Sequence, residues 1–295
     1  MLQNEEQVVD NGVQISVIMC VHCRESVDDL ILAMDSILYQ TYTDFEFIIC
    51  DDDSDVSAKE LLSAYCRQDS RIRLLHNDQN MGVAYSLNRC IEVSCGRYIA
   101  RMDADDISLS NRLQEEYEFL EEHPEYSFVG CNAELIALST TWGLRVMPEH
   151  PEHTDFLPYS PYIHPSVMGR REVFIHDGGY RASRITWRCE DYEFFMRQHS
   201  QGYQGYNIQK LLYYYREDQN AYQRRRFRYS LAEMLIRIQG YMRLGLMLKG
   251  GILYCFKPLA VGIIPRRFYA AWKRRRQNMN QMSAYSQDMA EKRSA

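Results

Sequence analysis

At 295 residues, with 46% apolar and 25% charged side chains, the chain can bury one large core plus an appendage and has the composition of a soluble globular protein. Its net charge of −6 conceals a division: residues 221–295 carry 16 Lys or Arg against 3 Asp or Glu, a net of +13, and residues 1–220 carry 18 against 37, a net of −19. Such an acidic body excludes unaided nucleic-acid binding, whereas the basic end calls for an anionic partner, nucleic acid or lipid. The first fourteen residues lack the basic start and apolar run of an export signal, so a cytoplasmic protein is expected. The nine cysteines are then expected as reduced, packed thiols. Cys20-Val-His-Cys23 has the spacing of a redox motif, but no second matching pair completes a zinc site.

In chain order, residues 15–21 form a short β-branched apolar run that predicts a buried strand. Residues 28–39 place Leu30, Ile31, Met34, Ile37 and Leu38 at helical spacing. A second strand over 45–50 runs into Asp51-Asp-Asp-Ser54, and a helix over 57–66 takes Ser57 as N-cap with Glu60 in the capping-box position. A strand at 72–75, a helix over 83–93 opened by Gly82, and a strand at 97–100 complete the alternation. This pattern predicts an α/β, Rossmann-like doubly wound, mostly parallel sheet, whose ligands sit beyond the carboxyl ends of the strands. Three strand ends meet there: 20–23, 51–53 and 103–106.

Farther on, a helix is expected over 111–121, a strand over 126–131, and an excursion over 140–162, where prolines stand at 148, 151, 158 and 161. Short helices are expected over 171–176 and 190–199, and a long helix over 222–248 with Phe227, Leu231, Met234, Leu235, Ile238 and Met242 on one face.

The chemistry concentrates in Met102-Asp-Ala-Asp-Asp-Ile107. At a strand end alternate side chains face one way, so Asp103 and Asp105 can point together into the crevice. Two carboxylates that close raise one pKa unless a cation neutralises them, and hard oxygen ligands suit Mg²⁺ or Mn²⁺, with an acidic loop capping the next helix as the competing reading. Asp106 suits a structural, capping part. In Asp51-Asp-Asp-Ser54 a carboxylate could accept hydrogen bonds from a base or a ribose, with helix capping the competing reading for Asp53 and Asp55.

Taken together these segments resemble family 2 glycosyltransferases of the GT-A fold. The resemblance is carried by Ser16-Val-Ile-Met19, Ala33-Met-Asp-Ser-Ile-Leu-Tyr-Gln-Thr-Tyr42, Asp44-Phe-Glu-Phe-Ile-Ile-Cys-Asp-Asp-Asp-Ser54, Asn80-Met-Gly-Val-Ala84 and Tyr98-Ile-Ala-Arg-Met-Asp-Ala-Asp-Asp106. Beyond them it continues through Ile163-His-Pro-Ser-Val-Met168, Gly178-Gly-Tyr180 and Cys189-Glu-Asp-Tyr192, covering residues 15–216 in order. The resemblance implies a nucleotide-diphosphate sugar donor, a UDP-sugar first of all, and a glycan or lipid-linked acceptor in bacterial surface-polysaccharide synthesis. It implies that Asp52 contacts the base with Glu25 nearby, that Asp103 serves ribose and metal, that Asp105 is the direct metal ligand, and that Asp191 is the general base of an inverting transfer. His164, Trp187 and Glu190 are further candidates for substrate contact, each with packing or helix capping as the alternative. The chain departs from the family at Cys20 and Cys23, where Pro and Asn are usual, and at Asp53, which replaces a frequent Gly. The processive motif Gln-x-x-Arg-Trp is broken as Gln223-Arg-Arg-Arg-Phe227, which favours one sugar per encounter.

Three parts follow: a polar tail over 1–14; a catalytic domain over 15–220, with a nucleotide-sugar half to about 110 and an acceptor half over 111–220; and a basic helical extension over 221–295. In the extension the apolar stretch 250–264 is too short to span a bilayer, and it lies beside Arg266, Arg267 and the basic run 273–276, with Phe268, Tyr269 and Trp272 between. That composition suits an interfacial anchor on inner-leaflet anionic lipid, with a packed helical cap as the alternative. Two other classes were weighed against the transferase. A sugar-phosphate nucleotidyltransferase calls for a Gly-rich loop after the first strand, and residues 20–26 contain no glycine. A non-catalytic binding module would have no use for Asp103, Asp105 and Asp191.

Overall fold

The computed structural model describes residues 12–23, 27–137, 140–217 and 227–263. Glu25, Gln223, Arg226 and the basic residues beyond 263 lie outside these.

Strands β1 (Ile15–Val21), β2 (Phe45–Asp52), β3 (Ile72–Asn77) and β4 (Tyr98–Asp103) pair in parallel in the order β3-β2-β1-β4. Helices α1 (Asp28–Leu38), α2 (Val56–Gln68) and α3 (Val83–Val93) make the crossovers. Every residue of β1 except Cys20 is buried, because helices cover both faces of the sheet. Ile15, Val17 and Met19 meet Leu30, Ala33, Met34 and Ile37 of α1, whereas Ile18 faces Leu87, Cys90 and Ile91 of α3. The period-2 alternation of a strand thus feeds two separate cores.

Beyond β4 the sheet becomes mixed. β5 (Ile107–Ser108) leads to α4 (Arg112–Glu122), β6 (Phe128–Ala137), β7 (Thr140–Arg145), β8 (Met168–Arg170), α5 (Arg171–Ile175), α6 (Glu190–Ser200) and β9 (Gly205–Arg216). β8 is antiparallel to both β4 and β6, and β9 runs parallel to β6. The expected excursion over 140–162 therefore begins as a strand, since Thr140–Arg145 closes a hairpin on β6 with a bulge at Leu135/Ile136. β5 and β8, of two and three residues, are too short to show a period in sequence.

Two local expectations are corrected. Helix α2 is capped by Asp55, not Ser57: the Asp55 carboxylate accepts from Ala58 N at 3.1 Å and from Ser57 Oγ at 2.9 Å, which starts the helix one residue earlier. In α7 (Phe227–Arg243) the expected stripe is split: Leu231, Leu235 and Met242 are exposed, Met234 and Ile238 pack against the core, and Ile236, Arg237 and Tyr241 are buried in it. Arg237 Nη1 and Tyr241 Oη both donate to Leu157 O, at 2.8 and 2.9 Å, so hydrogen bonding to a bare loop carbonyl chooses the inner face. A short turn then leads to α8 (Gly251–Ile263). Among the described residues no helix is long and apolar enough to cross a membrane.

Under the sheet, α4 buries Arg112 and Glu116 completely, with Arg112 Nη1 at 4.0 Å from Glu116 Oε2 and neither Glu116 oxygen hydrogen-bonded. Burial pushes the Glu116 carboxyl up to about 8 despite that cation. A carboxyl raised in the folded state binds more protons than the unfolded chain does, so it lowers stability as pH rises from about 4.5 to about 8. Melting curves of wild type and Glu116→Gln across this window should show the variant losing less stability toward pH 8. Parallel profiles would remove Glu116 as the cause.

Candidate active site

The carboxyl ends of β1, β2 and β4 lie side by side, with Cys20 in register with both Cys50 and Asp103. The loops from β3 and from Tyr180 to α6 close over this edge, leaving two cavities.

The first, of about 460 Å³, is lined by Cys20, His22 and Asp52 from the strand ends, by the turn 80–85, and by Trp187, Arg188 and Glu190 from the loop before α6. Asp52 builds its wall. Its Oδ1 accepts from Asn77 Nδ2 at 2.7 Å and Met81 N at 2.8 Å, and its Oδ2 accepts from Gly82 N at 2.8 Å. The carboxylate thereby fixes the turn that opens α3, where Gly82 has φ 88 and Trp187 lies 3.8 Å from the position of an added Cβ. His22 joins in, its Nδ1 at 2.7 Å from Asp52 O and its Nε2 at 3.0 Å from Asn80 Nδ2. At Asp53 the backbone has φ 62, in the left-handed region that favours glycine and that aspartate tolerates.

The second cavity, of about 300 Å³, is lined by Arg145, Tyr159, His164, Arg188, Asp191 and Tyr215, and by Glu233 and Arg237 of α7. His164, which burial holds well below its ordinary pKa, is neutral and sits with Nε2 2.7 Å from Tyr180 Oη. Tyr180 is set in turn by Asn88, which exchanges two backbone hydrogen bonds with it at 2.7 and 2.8 Å. Gly179 is required beside it, because a Cβ there would lie 2.5 Å from Asn88 Oδ1.

Glu190 and Asp191 open α6, and their neighbouring positions send one toward each cavity. Burial, then the Asp191 charge, pushes the Glu190 carboxyl up to about 7. Burial also raises Asp191, against hydrogen bonds from the helix-opening amides and the field of Arg101. Of the candidate substrate residues, Trp187 and Glu190 therefore belong with Asp52, and His164 with Asp191.

The acidic turn stands at the carboxyl end of β4. Oxygens of Asp103, Asp105 and Asp106 lie within 4.8 Å of one another, the one group of metal-ligating side chains so placed among the described residues. Cys20 and Cys23 stand outside it, and burial pushes Cys20 up to about 12, far from a reactive thiolate. Asp105 keeps an exposed edge, yet the crowded turn desolvates its carboxyl and, with the Asp103 charge, pushes it up to about 6. Asp106 is raised further by the same causes. Its Oδ1 accepts from Arg216 N at 2.6 Å, and its buried Oδ2 has no partner. Three crowded carboxylates, one with an orphaned oxygen, are the donor set that a hard divalent cation neutralises, so the residues fit Mg²⁺ or Mn²⁺.

Sequence reasoning missed the basic partners of this turn. Arg101 is buried and its Nη2 lies 2.5 Å from Asp103 Oδ1. Arg216 donates through Nε to Asp105 O at 2.6 Å and pairs with Asp29 at 2.8 Å. Spacing could have found Arg101, because it stands two residues before Asp103 on one strand face. Nothing local could have found Arg216, which arrives from a strand more than a hundred residues later.

Removing the Asp52 carboxylate leaves the amides of Met81 and Gly82 unpaired. Asp52→Ala should cost on the order of 2–3 kcal/mol of stability, measured by denaturant unfolding, besides any loss of ligand affinity. A loss under about 0.5 kcal/mol would contradict this wall-building part.

Comparison with known proteins agrees with this architecture. The model of glycosyl transferase family 2 matches residues 16–178. The putative glycosyltransferase EpsE of Bacillus subtilis is 36% identical over 259 residues, covering 87% of this chain and 92% of EpsE. Among solved structures, a TarS fragment from S. aureus in complex with UDP-GlcNAc superposes with a TM-score of 0.65 at 14% identity, covering 83% of this chain and 73% of that one. The mannosyltransferase PcManGT from Pyrobaculum calidifontis, in complex with GDP-Man and Mn²⁺, gives 0.59 at 14% identity over 88% and 79% of the two chains. The chain belongs to glycosyl transferase family 2, and its mixed, mostly parallel sheet is a GT-A fold.

Proposed function

We propose that the protein transfers one sugar, with inversion, from a nucleotide-diphosphate sugar to a hydroxyl of a glycan or lipid-linked acceptor at the cytoplasmic face of a membrane. The observation that carries the reading is the placement of Asp191 in one cavity and Asp52 in the other, with Arg188 lining both. The first cavity suits the nucleotide: the turn 80–85, which the Asp52 carboxylate holds in place, forms a wall for the base, and Trp187 offers an aromatic edge. TarS and PcManGT, whose structures hold UDP-GlcNAc and GDP-Man, support a nucleotide-sugar donor here, a UDP-sugar in the first instance.

In the second cavity the acceptor hydroxyl meets Asp191. Its raised pKa makes it a better base than an exposed aspartate. Asp191 takes the hydroxyl proton as that oxygen attacks the anomeric carbon; the bond to the diphosphate oxygen breaks on the opposite side, and the configuration inverts. A divalent cation held by Asp103 and Asp105 would offset the charge that builds on the departing diphosphate. Arg101 holds Asp103 in place for that ligand set. In this scheme the donor half runs to about residue 110 and the acceptor half over 111–220, but Trp187, Arg188 and Glu190 of the acceptor half also line the donor cavity, and the extension lends Glu233 and Arg237 to the acceptor cavity.

UDP should raise the melting temperature when Mn²⁺ or Mg²⁺ is present and leave it unchanged in EDTA. An equal rise in EDTA would sink the metal assignment. Asp191→Asn should lower transfer at least about a thousandfold while the UDP-induced shift persists. Wild-type turnover by this variant would remove Asp191 as the base.

A further inference from the structure

Helix α8 is turned inside out. Gly251, Cys255 and Pro258 pack inward, whereas Ile252, Leu253, Phe256 and Ala260 form one exposed stripe on its opposite side. Ile252 is 49% exposed, Leu253 80% and Phe256 55%, and Leu248 in the preceding turn is 94% exposed. A surface helix of a soluble protein normally buries its large apolar side chains. A contiguous apolar strip of this kind marks an interaction face.

We propose that this face seats in the surface of an anionic lipid bilayer, with α8 lying in the plane of the headgroups. Among the described residues α8 is too short for a span: its thirteen residues reach about 20 Å, against a hydrocarbon core of about 30 Å. Charge selects the occupant. Lys249 is exposed beside the strip, Glu233 is the one acidic residue in 227–263, and the sequence continues into Arg266, Arg267 and the basic run 273–276. Apolar side chains bordered by cations match acyl chains below a layer of negative headgroups. Position agrees. α7 lines the second cavity through Glu233 and Arg237, and Lys257 Nζ of α8 donates to Pro158 O in the loop that bears Tyr159. A bilayer under α8 therefore lies beside the cavity that holds Asp191, which rests on the reading that the acceptor is lipid-linked and extends it to the side from which the acceptor arrives.

The test is sedimentation of the full chain with vesicles of phosphatidylcholine alone or mixed with phosphatidylglycerol. Wild type should bind the mixed vesicles at least about tenfold more tightly than the neutral ones, and more weakly in high salt. The double variant Leu253→Glu/Phe256→Glu should lose about tenfold or more of that binding while keeping the wild-type melting temperature and donor hydrolysis. Wild type that stays in the supernatant would overturn the proposal. So would unchanged binding by the variant, which would assign the attraction to the basic residues alone, or a dimer in light scattering that the variant dissociates, which would assign the face to a second copy. Donor hydrolysis is read separately without lipid, so failure of the enzymatic reading and failure of the membrane face are distinguishable.

Discussion

The crevice depends on one buried cation. Arg101 is 4% exposed and rests against Asp103 at 2.5 Å, with Nε and Nη1 unpaired. Burial disfavours its charge, and the Asp103 carboxylate more than restores it. Its field reaches Asp105, Asp106, Glu190 and Asp191, lowering each against the burial that raises them. Burial keeps His164 neutral, and the same field adds to that effect. One guanidinium thus holds a group of carboxylates that would otherwise repel one another, and it leaves an excess of negative charge at the mouth of the crevice. That excess suits a divalent ion on one side and a hydroxyl proton on the other.

Helix geometry divides the labour of the two carboxylates at α6. Adjacent positions on a helix point about 100° apart, so Glu190 turns toward the first cavity and Asp191 toward the second. Arg188, held at φ 69 with its guanidinium 5.3 Å from the Tyr229 ring, stands between them and borders both spaces. A positive φ in a non-glycine residue is costly, and its place at the junction of the cavities is where such strain tends to be kept. Tyr229 belongs to α7, so the helical extension helps to shape the junction as well as one cavity wall.

The parallel half of the fold was legible because its signals are local. Strands β1 and β2 are apolar runs, α1 and α3 repeat at helical spacing, and the alternation of the two types leaves little choice of topology. The acidic turn was legible for the same reason, as a polar cluster at a strand end. The mixed half was less so. β7 hides in a proline-rich stretch, β8 is three residues long, and the inner face of α7 is chosen by hydrogen bonds from Arg237 and Tyr241 rather than by its apolar stripe.

The sequence by itself determined the family, the parallel half of the sheet, and Asp103 and Asp105 as chemical candidates, because those rest on residue type and short spacing, whereas Asp191 came from the resemblance. Tertiary structure decided the rest. It placed Trp187 with Asp52 and His164 with Asp191, it spent the Asp52 carboxylate on the turn at Gly82, and it brought Arg216 to the acidic turn from the far end of the sheet. It also turned the apolar side chains of α8 outward. The physical reason is common to all four. Which partner meets a side chain is set by loop closure and by the pairing of buried polar groups over long separations, and neither leaves a periodic mark in the chain.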